Sequence, residues 1–163
     1  MNTLEEIQDY YQDLATRHVD LLHDVDGRKA FARFQTDDHI TQIRKKATAN
    51  IVVIAGVNGN RRGDVDDNEI RRGVSIVFAT RASTSGNAGT GIDTALEKSE
   101  QIMFDFMNKM YQDQQEGCML EFTLEQCSWD EIDAPWLDNY YGWVLFVPFR
   151  GYMPLYNPDK WTS

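Results

Sequence analysis

Between Ser128 and Trp143, the aromatic residues Trp129, Trp136, Tyr140 and Trp143 are interleaved with carboxylates. Aromatic faces beside acids can hold a cationic ligand or a sugar, and they can also anchor a protein interface, where Trp and Tyr are over-represented. Packing at a strand boundary explains the same residues without any ligand. The four are therefore carried forward as an alternative ligand pocket.

Other chemistry-bearing residues lack the spacing that chemistry needs. Gly86-Asn87-Ala88-Gly89-Thr90-Gly91 lies between a strand and a helix, where amides could cradle a phosphate, but it has neither the G-x-G-x-x-G order nor a Gly-Lys-Ser/Thr ending. A plain connection is expected there. Asp64-Val65-Asp66-Asp67-Asn68 begins like a calcium loop, yet its sixth position is Glu69 and its twelfth is Ser75. Arg62-Gly63-Asp64 spells an integrin-type triplet that arises by chance and carries no weight. His18 and His23 are five residues apart, a spacing that does not share a helix face, so even with Asp20 and Asp24 they make a poor zinc site. Cys118 is expected to be a buried, inert thiol. Cys127 has no cation near it in sequence to lower its pKa. On a straight strand the two cysteines stand roughly 30 Å apart at about 3.3 Å per residue, which argues against a disulfide. No catalytic residue, cofactor or metal site is expected.

Charge is divided along the chain. Of 163 residues, positions 1–27 carry a net −6, 28–81 a net +5 and 82–163 a net −9. A general nucleic-acid binder needs a dominant positive field, so direct nucleic-acid binding is not expected. Opposite patches suit contact between copies of one chain, although simple solvation of exposed faces also accounts for them. The longest apolar run, Ile51 to Val57, is far short of the roughly 18 residues that span a bilayer. The first residues lack a basic-then-apolar leader pattern, so the expectation is a chain made and kept in the cytoplasm.

These residues must be positioned by a small set of elements. Thr3-Leu4-Glu5-Glu6 has capping-box spacing and opens a first helix with Leu4, Ile7, Tyr11, Leu14 and Leu21 on one stripe, ended by a turn at Asp24–Gly27. Strands are expected at 29–35, 49–57 and 69–79, the last two forming a hairpin. Their connection, 58–68, is expected to project as a flexible charged finger. A second helix runs over 92–116, with Gly117 placed to end it. Cys118, Leu120, Phe122 and Leu124 then alternate with Met119, Glu121, Thr123 and Glu125, predicting a strand over 118–126 with one dry face. A final strand is expected at 143–149. The fold class that follows is α+β, a single domain over 1–150 with a mostly antiparallel sheet of about five strands flanked by two main helices. Prolines restrict 151–163 to an extended arm, in which Tyr152, Leu155, Tyr156 and Trp161 either wrap the domain or dock on a neighbour.

This element order, together with the late Tyr140-Tyr141-Gly142-Trp143-Val144-Leu145-Phe146 strand, resembles the tail-terminator or tail-completion proteins of tailed bacteriophages. The resemblance covers nearly the whole chain. It implies a non-enzymatic structural subunit that assembles head to tail into a homo-oligomeric ring, contacts other tail or connector proteins, and resides in the bacterial host cytoplasm before entering the virion. No catalytic residue is carried over from that family. Under it, the finger and hairpin residues Arg61, Arg62, Asp64, Arg71 and Arg72 are the candidate subunit interface, and the arm is the candidate docking segment. The chain departs from the pattern in its arm after Arg150 and in the acidic stretch before the last strand. The alternative is a small intracellular ligand-binding domain or enzyme built around Trp129–Trp143.

Overall fold

The structure is a computed structural model that describes residues 3–33, 49–62, 69–83, 88–118, 120–133, 139–152 and 158–160. Its first helix, α1, spans Leu4–Arg17. The expected capping box is present: the Glu6 amide donates to Thr3 Oγ1 at 3.1 Å and the Thr3 amide donates to Glu6 Oε2 at 2.7 Å. Those bonds, led by the one from the Thr3 backbone, hold the Glu6 carboxyl below its ordinary range. Ile7, Tyr11, Leu14 and Ala15 form the buried stripe. Leu21 reaches the core by a different route from the one expected. The helix stops at Arg17, and a turn in which Leu22, Asp24 and Asp26 all have positive φ brings the chain back.

Five strands make one sheet in the order β1-β2-β3-β5-β4, with β1 at Phe31–Arg33, β2 at Asn50–Arg62, β3 at Glu69–Arg81, β4 at Ser128–Glu131 and β5 at Tyr140–Tyr152. The short β1 lies parallel to β2, and every other pairing is antiparallel. The expected hairpin is longer than its apolar residues suggest. Strand pairing continues through Asn58–Arg62 against Glu69–Gly73, so those finger residues are ladder; of the expected finger, only 63–68 falls outside the described residues.

The second long helix, α2, spans Ala88–Gln115 and takes in the last glycines of the supposed loop. Gly91 is needed there for a close approach, because a Cβ on it would lie 2.8 Å from the Ser83 carbonyl oxygen. At the other end Gly117, at φ +87°, closes the helix as expected, with the Cys118 amide donating back to the Asp113 carbonyl.

Both helices pack on one face of the sheet. Ile7, Tyr11 and Leu14 of α1 and Ile102, Met103, Phe106 and Met110 of α2 meet Val52, Ile54, Val74, Ile76, Phe78, Leu145, Val147 and Phe149. Phe106 sits at the centre, edge-on to Phe78 at 5.1 Å and parallel to Tyr11 at 6.5 Å. Burying such a side chain contributes about 1.5 to 3 kcal/mol. The opposite face carries a second, smaller cluster of Ile51, Val53, Val77, Ala79 and Tyr140. Strands β3 and β5 approach so closely that a Cβ on Gly142 would overlap the Phe78 carbonyl oxygen and lie 2.7 Å from Ala79 Cα.

The predicted strand at 118–126 is corrected. Leu120 and Phe122 are buried and Glu121 is exposed, so the dry face exists, but among the described residues the ladder contact is an isolated bridge from Phe122 to Phe149. Leu124–Gln126 coils into a 3-10 turn instead. From Phe122 opposite Phe149 to Ser128 opposite Phe146, six steps of this segment face three of β5, and the turn takes up the excess. The strand proper is β4, immediately after it and inside the acidic stretch before the last strand, where no strand was expected.

Candidate assembly surface

Strands β2, β3 and β5 are 13 residues long each, but their flanking strands reach only part of them. Strand β1 meets β2 at Val52–Ile54 and β4 meets β5 at Trp143–Phe146. Beyond Ile54 a register shift marks a bulge, and every residue from Ala55 to Arg61 is exposed. Among the described residues this part of β2 is a ribbon edge with no strand beside it.

The ribbon separates the proposed interface residues by face. Arg61 stands opposite Ile70, and Arg72 opposite Gly59, on the helix-covered side. Together with Leu4, Ile54, Val57, Gly59 and Ile70, Arg72 borders a shallow hollow of about 360 Å³. Arg71 stands opposite Asn60 on the other side, where its Nε donates to Glu69 Oε1 at 2.9 Å. Arg150 Nε lies 3.2 Å from the same oxygen, so one carboxylate joins two arginines from neighbouring strands. Glu69 and Arg150 were not singled out from sequence, because their meeting depends on the β3–β5 register. The backbone of Arg62 ends β2; Asp64 lies outside the described residues.

The opposite edge of the sheet is acidic. All four residues of β4, Ser128 to Glu131, are exposed, with Asp130 and Glu131 on the strand and Glu125 and Asp133 exposed beside it. Trp129 stands opposite Leu145 on the helix-covered face, and its ring meets Phe104 of α2 edge-on at 5.6 Å. Both rings are over a third exposed, at 39% and 37%.

The three described residues of the alternative pocket do not come together. Trp143 packs against the main core and its Nε1 donates to the Leu96 carbonyl at 3.1 Å. Tyr140 turns to the other face, in the second cluster, and its hydroxyl accepts from Arg81 Nη2 at 2.8 Å. Burial raises the Tyr140 pKa. Trp129 is at the edge, and Trp136 lies outside the described residues. Of the arm, β5 includes the Tyr152 backbone, two residues past the expected boundary, while Leu155, Tyr156 and Trp161 lie outside the described residues.

His18 and His23 serve structure. His23 is buried, its Nδ1 accepting from the Ala30 and Phe31 amides at 3.2 and 3.1 Å while Nε2 faces Asp24 Oδ2 at 3.1 Å. Burial lowers its pKa, and an ion pair with Lys29 lowers that of Asp24. His18 braces α1 against α2, with Nε2 3.2 Å from Asp105 Oδ2 and Nδ1 accepting from the Asp20 amide. Asp20 itself binds Lys98 at 2.7 Å. His39 lies outside the described residues. Among the described residues no group of three His, Cys, Asp or Glu side chains could hold a metal, and no helix is long and apolar enough to cross a membrane. Both cysteines are free and partly buried, and burial pushes the Cys127 thiol up to about 11.

No known protein-family model matches this chain, and no curated protein matches it either.

Proposed function

We propose that this chain is a non-enzymatic structural subunit of a bacteriophage or prophage tail, a tail terminator or head-tail joining protein, acting by forming a homo-oligomeric ring. One observation carries the reading: the two lateral edges of a single sheet are both exposed and oppositely charged. Arg61, with Arg72 on the same face of the neighbouring strand, marks the β2 edge, while Asp130 and Glu131 mark the β4 edge. Complementary patches at opposite ends of one subunit favour head-to-tail contact, which closes as a ring when the rotation between copies allows. A host cytoplasmic site of assembly and tail or connector proteins as further partners come with the same reading. The alternative pocket at Trp129–Trp143 has less to support it, since Tyr140 and Trp143 occupy opposite faces.

Light scattering and electron microscopy of the purified protein over a rising concentration series test this. Closed rings are expected, with Arg61→Glu or Glu131→Lys alone weakening assembly and the two combined in one chain restoring it. Absence of self-association at every concentration, including with the native chain, would count against a ring-forming role.

A further inference from the structure

Resting on that ring reading, we infer that the join between copies is a strand addition. Strand β4 of one copy extends the sheet of the next along the outer edge of β2, and Trp129 seats in the hollow beside Ile70 and Arg72.

Backbone direction decides which groups are offered. In an antiparallel ladder, successive residues turn their amide and carbonyl alternately toward one neighbour and the other. Gly73 donates to the side chain of Asn58, which stands opposite it, so this pair faces inward between β2 and β3. Val57 and Gly59, on either side of Asn58, therefore turn their main-chain groups outward. At the other edge the Ile132 amide donates to the Gly142 carbonyl, which directs Ile132 and Asp130 toward β5 and leaves Trp129 and Glu131 facing out. Each edge thus presents outward residues two apart. Neither stretch contains a proline, although exposed edges are ordinarily blunted against pairing.

The side chains agree with the backbone. Trp129 shares the helix-covered face with Leu145, and the hollow bordered by Val57, Ile70 and Arg72 opens on that same face. A rotation that carries one copy to the next keeps helix faces on the same side, so the indole of one subunit meets the hollow of its neighbour. Arg72 at the rim can then lie over an aromatic ring, the favourable geometry for a guanidinium. Glu131, on the same face as Trp129 and Arg61, brings negative charge to Arg61.

Paired substitutions at Gly59 test the main-chain contact. A Cβ there meets only the Arg71 carbonyl oxygen, at an ordinary 3.6 Å, so Gly59→Ala keeps both the fold and the outward amide. Gly59→Pro removes that amide and also fixes φ at its own position. By sedimentation, Gly59→Pro is expected to raise the concentration for half-assembly about tenfold or more, the scale of one lost main-chain bond, while Gly59→Ala assembles like the native chain. Far-ultraviolet circular dichroism checks that both monomers fold. Trp129→Ala is expected to weaken assembly and Trp129→Phe to retain most of it. A Gly59→Pro variant that assembles like the native chain, or a Gly59→Ala variant that fails equally, would overturn strand addition while leaving ring formation standing. Native protein that never associates would bring down the ring reading itself.

Discussion

The inner and outer halves of the β2–β3 hairpin behave as two different materials. From Ile51 to Ile54 every residue of β2 is buried, and from Ile76 to Thr80 every residue of β3 is too. Past the bulge, Ala55 to Arg61 are all exposed although the ladder to β3 continues unbroken to Glu69. Strand length here follows from backbone pairing, which satisfies amides and carbonyls whether or not side chains are dry. Burial follows from what the flanking elements cover. An inner half built from β-branched and aromatic residues holds the fold, and an outer half of Gly, Asn and Arg is left for contact.

The largest effect belongs to the buried core, which on β5 extends level with the exposed part of β2, since Phe149 stands opposite Arg72 and Arg72 opposite Gly59. Phe122 is 2% exposed and packs edge-on to Phe149 at 6.0 Å, so Phe122→Ala should cost about 3 to 5 kcal/mol in urea unfolding. A loss below 1 kcal/mol would mean the side chain is not in the core. Next comes Gly142→Ala, which forces a methyl group between β3 and β5 and should cost about 1 to 3 kcal/mol. Tolerance without loss would show that the two strands can separate there.

Those two sites also show how far the sequence was legible. Alternation around Phe122 correctly marked a dry face, because which residues avoid water is a local property. Whether the segment forms a ladder depends on register against β5, and the three surplus residues that coil at Leu124–Gln126 are invisible in local pattern. Strand β4 escaped notice because Ser128-Trp129-Asp130-Glu131 has no buried residue to produce an alternation. The capping box and the Gly117 stop were readable because their partners lie within a few residues. In the assembly surface, Arg61, Arg71 and Arg72 were visible as charges, but their division between two faces, and the link from Arg71 through Glu69 to Arg150, emerged only with the pairing of β2, β3 and β5.

A smaller, pH-dependent effect comes from His23, which anchors the chain where it enters β1. Burial lowers its pKa from 6.5, and Lys29 acts in the same direction against the opposing Asp24. The folded state therefore keeps the ring neutral where the unfolded chain takes up a proton. Stability is full above about pH 6.5 and falls as pH drops below it, the direction expected when the unfolded state binds more protons. Replacing the ring with an amide, His23→Gln, keeps an acceptor for the Ala30 and Phe31 amides and should flatten that portion of the profile. Urea unfolding at pH 7.5 and 5.5 would reveal it, and an equal slope in the variant would assign the dependence to another group.

The smallest effect is expected in the outer half, where it is most diagnostic. Arg61 is exposed and lies on a stretch of β2 whose neighbours on both faces are exposed as well. An exposed charge contributes little to folding, since water screens it and its long side chain loses entropy when held. Arg61→Glu should therefore change the unfolding free energy by about 0.5 kcal/mol or less while reducing self-association. The two measurements must diverge if the ribbon is a contact surface. A loss of several kcal/mol in the isolated monomer would instead show that the outer half supports the fold, and the distinction between the two halves of the hairpin would disappear.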